Sequence, residues 1–415
     1  MSESIKFGGS KGLLIAIALG FVLGIITGNV VLAVAPKGTQ VLLSDWFKAF
    51  GDVFVRLIRI VIPPLIFFTI AAATSSIANA RRLGAILALM LVIYLGTSAV
   101  AAVLGIIAGQ AFQPGLGVGL EVPKDYKPPT PPSGVDLIMS FFQLDFNNLL
   151  AVGGSTTMII FALILGISVV LMGDEGRKIS YFLSLGSKLM IAFVRAIMYY
   201  APVAVFMYSA WLIIRYGPVM LSAYAKFLAT QYSFTLMHFI AIYSILVLMG
   251  GLNPIKYFKA QLTPFMIAFA TRSSAVTLPA NMDAARRMGI PEEILNITLP
   301  IGATVNMDGT ALYQALSALF IAQLFNIGLS PYHISLLILA AVVGSVATAA
   351  IPGGGTIMLA YVLSVLGLPL EGVGIMMVVD PIADALRTAI NVSGDNASTV
   401  LISRLLGSKL KGSIN

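Results

Sequence analysis

The amino-acid sequence predicts an all-α polytopic membrane protein with eight transmembrane helices and two re-entrant helical hairpins. Three observations predict it. Apolar residues make up 58% of the 415 positions and charged residues only 10%, against about 45–50% and 25% in soluble domains. Six apolar runs long enough to span a bilayer lie near 12–35, 46–78, 83–112, 147–173, 180–214 and 221–250. Beyond residue 250 two further apolar runs are broken at their centres, and each precedes a helix with a polar interruption.

The first run, Gly12 to Val34, follows Lys6 and Lys11 and ends in Ala33-Val34-Ala35, which mimics a cleavable leader. It is far longer than the roughly 7–15 residues of a signal core, and Pro36 follows the would-be cut, so an uncleaved first span is expected. The basic residues recur in short segments between apolar runs: Arg81 and Arg82, Arg177 and Lys178, Lys256 and Lys259, Arg286 and Arg287, Lys409 and Lys411. This is a positive-inside pattern, not a patch for nucleic acid, although the net charge is +8. It places Arg81-Arg82 and the N-terminus in the cytoplasm. The third span then ends outside at 113–135, where Pro114, Pro123, Pro128, Pro129, Pro131 and Pro132 suggest a mobile, polyproline-like extracellular loop. The long runs at 46–78 and 180–214 imply strong tilt or a bend.

The run 255–290 is interrupted by Arg272 to Pro279, and the run 330–370 by Ser345 to Gly355. Small residues and prolines at both centres oppose a continuous helix, and two half-helices meeting at a tip are expected. Kinking or close packing is the alternative for either break alone. The first leads to Asn306-Met307-Asp308-Gly309-Thr310 and the second to a stripe from Asp380 to Asp395. Paired interruptions in corresponding halves point to a transporter's binding site.

At about 100° per residue, Asp380, Asp384, Arg387, Thr388, Asn391 and Asp395 share one quadrant of a helix. Ionisable groups at a span's centre cost roughly 2.5–3.5 kcal/mol each on insertion scales, so this face must line a polar site. Arg387 offers a planar fork suited to a carboxylate. Asp384, three residues earlier, suits an ammonium, or forms an internal pair with Arg387. Arg272 is the expected neighbour of Asp380. The excess of carboxylates calls for bound cations, and Asn306, Asp308, Thr310, Asn391 and Asp395 supply the oxygens hard cations prefer. With no cysteine and only His238 and His333, a thiolate or multi-histidine metal centre is excluded. Both histidines are read as packed, hydrogen-bonded residues. No Ser/His arrangement supports an intramembrane enzyme.

These motifs resemble the dicarboxylate/amino acid:cation symporter family (sodium:dicarboxylate symporters), which includes glutamate transporters and their prokaryotic glutamate/aspartate transporter homologues. The likeness covers essentially the whole chain and is strongest at Arg272–Pro279, Asn306–Thr310, Ser345–Gly355 and Asp380–Asp395. It implies inverted repeats and a homotrimer in the inner cell membrane, with cytoplasmic termini, working as an elevator. A scaffold of residues 1–80 and 136–217 would hold a transport unit of 81–112 and 218–415. The resemblance assigns the substrate's side-chain carboxylate to Arg387 and its amino group to Asp384. Thr310, Thr388 and Asn391 would add contacts, and the tips Arg272, Ser273, Ser274 and Ile351 to Gly355 would close over it. One sodium site would use Gly302, Asn306, Asn391 and Asp395. A second would use Thr304, Met307, Ser345, Val346 and Thr348, largely through carbonyls. A third would use Tyr94, Thr97, Ser98, Asn306 and Asp308.

The chain departs from the family pattern at Val276 and Ala350, in the two tips. Gln314 stands where proton-coupled, potassium-dependent members resemble one another in having glutamate, which suggests sodium coupling alone. The expected function is sodium-coupled uptake of aspartate or glutamate. The alternatives are a proton-coupled C4-dicarboxylate or neutral amino acid symporter of the same fold, disfavoured by Asp384 and Arg387 respectively, or an anion-conducting channel.

Overall fold

In a chain this apolar, backbone hydrogen bonds must close within each segment, and the computed structural model meets that demand with helices. It describes residues 10–75, 81–122, 155–348 and 353–407. Among them are fifteen α-helices and no strand. The first seven are α1 (Ser10–Val34), α2 (Lys37–Ser75), α3 (Arg81–Phe112), α4 (Ser155–Leu171), α5 (Asp174–Met198), α6 (Ala201–Tyr216) and α7 (Pro218–Met249). Then follow α8 (Pro254–Thr271), α9 (Ser274–Arg287), α10 (Glu292–Val305) and α11 (Asp308–Leu324). The last are α12 (Pro331–Val346), α13 (Gly354–Val365), α14 (Glu371–Met377) and α15 (Asp380–Leu405).

Among the described residues four stretches are long and apolar enough to cross a membrane: Ile15–Val34, Ala85–Phe112, Asp174–Met198 and Pro218–Met249. The two arms of α2 make a fifth if they form one span, bent by 41° at a break before Pro63. With lipid-type leucines, valines and isoleucines exposed along α1, α2, α4 and α5, this is a multi-pass membrane protein. The expected bend in 46–78 is thus present. The run at 180–214 is not one helix but two, parted at Tyr199-Tyr200, with Pro202 in the first turn of α6. A proline is tolerated there because its missing N–H has no partner to lose.

Packing sorts the helices into two groups. α2 gathers α4, α5 and α6, while α1 lies along α6. Gly20, Gly24 and Gly28 give α1 a small-residue stripe; a Cβ at Gly24 would sit 2.5 Å from the Phe206 carbonyl. Only glycine permits so close an approach. α3 instead packs on α11, α12 and α7, and α15 sits among α7, α8, α9, α10 and α11. The groups meet where Tyr208 of α6 fills a slot beside Gly51 and Gly374 and donates to Asp52 Oδ1 at 2.6 Å.

The breaks are shorter than the sequence suggests. α8 ends at Arg272, which adopts φ 52°, and Ser273 caps α9 with its Oγ accepting from the Val276 amide at 3.4 Å. The interruption expected over 272–279 is therefore confined to Arg272-Ser273, and Pro279 lies inside a helix. α8 and α9 pack on each other, as do α12 and α13. The second break runs from Ala347 to Gly353, with 349–352, including Ala350 and Ile351, outside the described residues. Between α10 and α11 the chain breaks at Asn306-Met307, two residues before Gly309. Of the proline-rich stretch, 123–135 lies outside the described residues. Its start is not a free polyproline-like strand: the Leu116 amide closes a turn onto Gln113 O at 3.2 Å, and Leu120 is buried with its amide on Leu324 O at 2.6 Å. The charged turn between α9 and α10 pairs Arg286 with Glu292 at 2.6 Å, which holds the Glu292 carboxyl below its ordinary range.

Candidate functional site

Helix α15 is buried on every face from Leu386 to Ser403, so its polar stripe has no contact with lipid. Its first half makes an anion–cation cluster. Arg387 Nη2 donates to Asp384 Oδ1 at 2.7 Å and Asp380 Oδ1 at 3.0 Å, and Nε reaches Asp384 Oδ1 at 3.1 Å. The internal pair allowed by the i,i+3 spacing is formed, and Asp380 joins it. Arg272 is a neighbour of Asp380, as expected, lining a cavity with it, but its guanidinium donates to Pro381 O at 2.8 Å rather than to the carboxylate. Asp380 Oδ1 also accepts from the Thr356 hydroxyl, which is shared with Tyr313. The guanidinium lies over the Tyr313 ring at 4.3 Å, a cation–π contact.

Two groups in this cluster keep binding capacity. Arg387 Nη1 is buried without a partner. Asp384 Oδ1 takes Arg387 and, at 3.2 Å, the Thr388 hydroxyl, whereas among the described residues Oδ2 has one long contact, from the Gly353 amide at 3.4 Å. Both side chains line one cavity with Arg272, Ser274, Met307, Thr310, Thr348, Gly355, Thr388 and Asn391. A buried guanidinium N–H and a half-used carboxylate oxygen are what an anionic group and an ammonium need. Of the expected substrate residues, Ser273 does not line this cavity because its hydroxyl caps α9. Gln314 reaches the tip of α13 instead, donating to Gly355 O at 3.3 Å.

Asn391 ties α15 to the break between α10 and α11. Its Oδ1 accepts from the Gly309 amide at 2.8 Å, and its Nδ2 reaches Thr310 Oγ1 at 3.0 Å and Met307 Sδ at 3.1 Å. A Cβ on Gly309 would fall 2.7 Å from the Arg387 carbonyl and 3.1 Å from Asn391 Oδ1. Neither helix can withdraw in so tight a core. Gly309→Ala is expected to cost about 1–3 kcal/mol and to weaken ligand binding, which thermal unfolding and a binding titration of the purified protein would register.

The second half of the stripe meets α10 and α11. Asn306 Nδ2 donates to Asp395 Oδ1 at 3.1 Å and Asn391 O at 3.3 Å, while Asn306 Oδ1 is buried and unpartnered. Gly302 packs directly on this carboxylate. Nearby, Asp308 Oδ1 accepts from Thr97 Oγ1 and Ser98 Oγ of α3, both at 2.9 Å. Tyr94 turns its hydroxyl to Thr298 O at 3.3 Å, but its carbonyl receives Thr97 at 3.1 Å. These residues form one oxygen-rich cluster. The second expected set is looser. Met307 and Thr348 line the cavity, but Thr304 is exposed, and the Ser345 and Thr348 hydroxyls turn back onto Val342 O and Gly344 O. Val346 packs with apolar neighbours. Only carbonyls remain to serve a cation there.

Sequence reasoning missed Thr356, Tyr313, Tyr243 and an amide cluster of Gln261, Asn281 and Asn396 that ties α8 and α9 to α15. Polar amides on apolar helices are expensive, and that was the available signal for Gln261. His238 and His333 are buried and hydrogen-bonded as expected, to Asp308 and Ser330. Among the described residues no three His, Asp or Glu side chains gather as a metal centre.

Broken helices around a buried guanidinium, carboxylates and hard-cation oxygens define a secondary transporter's core. The chain belongs to the sodium:dicarboxylate symporter family, whose pattern matches residues 11–405. It is 30% identical to a proton/glutamate-aspartate symporter of Escherichia coli (strain K12), over 96% of this chain and 93% of that one. It is 28% identical to a proton/sodium-glutamate symport protein of Bacillus caldotenax, over 95% of each. A C4-dicarboxylate transport protein of Rhodopseudomonas palustris (strain BisB18) is also 28% identical, over 94% and 86%. The protein is a symporter and not an enzyme.

Proposed function

We propose that this symporter couples inward sodium flow to uptake of an acidic amino acid, aspartate and/or glutamate. The observation that carries the reading is charge balance. Among the described residues, Asp308, Asp380, Asp384 and Asp395 are buried with one buried guanidinium, Arg387, and the half-buried Arg272 beside them. Four carboxylates against two guanidiniums leave two negative charges when all are ionised, and co-transported cations offset them. Arg387 Nη1 takes the substrate's side-chain carboxylate and Asp384 Oδ2 its ammonium, with Thr310, Thr388 and Asn391 beside them. Asp395 with Asn306, and Asp308 with Thr97 and Ser98, hold sodium. Carbonyls around Met307, Ser345 and Val346 form a further site.

The two packing groups support a division of labour. α1, α2, α4, α5 and α6 act as the scaffold and carry the contacts of a homotrimer, and α3 with α7 to α15 is the unit that moves as an elevator. The pairs α8–α9 and α12–α13 are its re-entrant hairpins; with α5–α6, α10–α11 and α14–α15 each counted as one span, eight spans remain, with both termini in the cytoplasm of an inner-membrane protein. A second reading, proton-coupled C4-dicarboxylate symport, is favoured by one observation: Asp384 is already paired with Arg387 and needs no ammonium. Proteoliposomes separate the two. An inward sodium gradient should accumulate labelled aspartate or glutamate at fixed pH, with succinate a poor competitor. Accumulation driven equally well by a proton gradient in sodium-free medium would overturn the sodium assignment.

A further inference from the structure

The Asp308 carboxylate is divided between two helices. Oδ1 faces α3 and its Thr97 and Ser98 hydroxyls; Oδ2 faces α7, where Tyr243 OH lies at 3.0 Å and His238 Nε2 at 3.3 Å. The Tyr243 hydroxyl is also 3.1 Å from Ile390 O. It has one proton to give, so whenever it serves Ile390 the imidazole is the only α7 donor left on Oδ2. His238 is 1% exposed and its Nδ1 is buried with no partner. The one N–H of a neutral ring is therefore of use only at Nε2, toward Asp308. The Tyr243 ring stands edge-on to the imidazole at 5.2 Å and 84°, which fixes its plane.

From this geometry we infer that His238 is a positioning residue for cation coupling: by holding Asp308 Oδ2 it keeps Oδ1 turned to Thr97 and Ser98. The inference rests on the proposal that these three side chains hold sodium. His238 touches no ligand itself. Without its N–H the carboxylate gains a rotational alternative, and the oxygens must be reordered each time a cation enters. Outer partners of this kind typically change metal affinity by about 10–100-fold.

The test uses the full-length protein and two amides of similar polarity, so that folding is preserved in both. Glutamine places its N–H near the position of Nε2, whereas asparagine is one methylene shorter and cannot reach Oδ2. Half-saturating sodium for aspartate binding should be within about twofold of wild type in His238→Gln and raised about tenfold in His238→Asn. Aspartate affinity at saturating sodium should be unchanged in both. A packing role alone would not separate the two amides in this way. Equal sodium dependence in both variants and wild type would overturn the inference. Thr97→Val supplies the independent control. If it shifts the sodium dependence while the His238 variants do not, only the role of His238 fails. If it shifts nothing, the cation assignment of this cluster fails first.

Discussion

Arg387→Ala should strongly weaken binding of acidic amino acids while sparing much of the affinity for neutral ones. A charge-assisted hydrogen bond from the unpartnered Nη1 to a buried carboxylate is worth about 1.5–3 kcal/mol, roughly 10- to 150-fold. The same change strands Asp380 and Asp384, which share Arg387 Nη2 at 3.0 and 2.7 Å. Removing one partner of a buried ion pair costs about 3–5 kcal/mol, so the variant's unfolding temperature should fall as well. Arg387→Lys separates the two effects. A lysine keeps the charge between the carboxylates but lacks the planar fork, so it should recover more stability than affinity. Competition by aspartate and asparagine against a labelled substrate is the measurement. Equal loss for both competitors would remove the carboxylate role from Arg387.

Asp395→Asn should act on the cation and leave the anion-binding half intact. Asp395 is 1% exposed, and among the described residues its side-chain donor is Asn306 at 3.1 Å. Replacing its charge by an amide removes an interaction worth about 2–3 kcal/mol to a bound cation. Half-saturating sodium should then rise roughly 30- to 150-fold, with substrate affinity restored at high sodium. An unchanged sodium dependence would reject Asp395 as a cation ligand. The variant should fold, because Asn306 retains its second acceptor, the Asn391 carbonyl.

The stripe on α15 was legible because a single helix carries it. A rotation of about 100° per residue is enough to place Asp380, Asp384, Arg387, Thr388, Asn391 and Asp395 on one side, and the structure packs other helices against that side. The partners on other elements were legible only where several polar residues sat together, as at Asn306–Thr310 and Tyr94–Ser98. Thr356, which claims Asp380, and Tyr313, which carries Arg387, are isolated residues on apolar helices 24 and 74 positions from their partners. No local pattern announces such a meeting. The extent of the first break was overestimated for a different reason. Pro279 and its small neighbours oppose a helix in isolation, but α9 is held by α8, α10 and α15. In a membrane core, packing tolerates one lost backbone hydrogen bond. The length of the fifth apolar run hid the reverse case, since Tyr199-Tyr200 breaks a stretch whose hydropathy is continuous.

In the proposed function α15 has an anion-binding half and a cation-binding half, joined through Asn391. Such coupling is reciprocal: a cation that tightens substrate binding must itself be tightened by substrate. Calorimetric titration of aspartate across a range of sodium concentrations, at two pH values, reads this most directly. Aspartate affinity should climb steeply with sodium and stay unchanged with pH. Affinity that is independent of sodium, or that follows pH in its place, would contradict sodium coupling at this site.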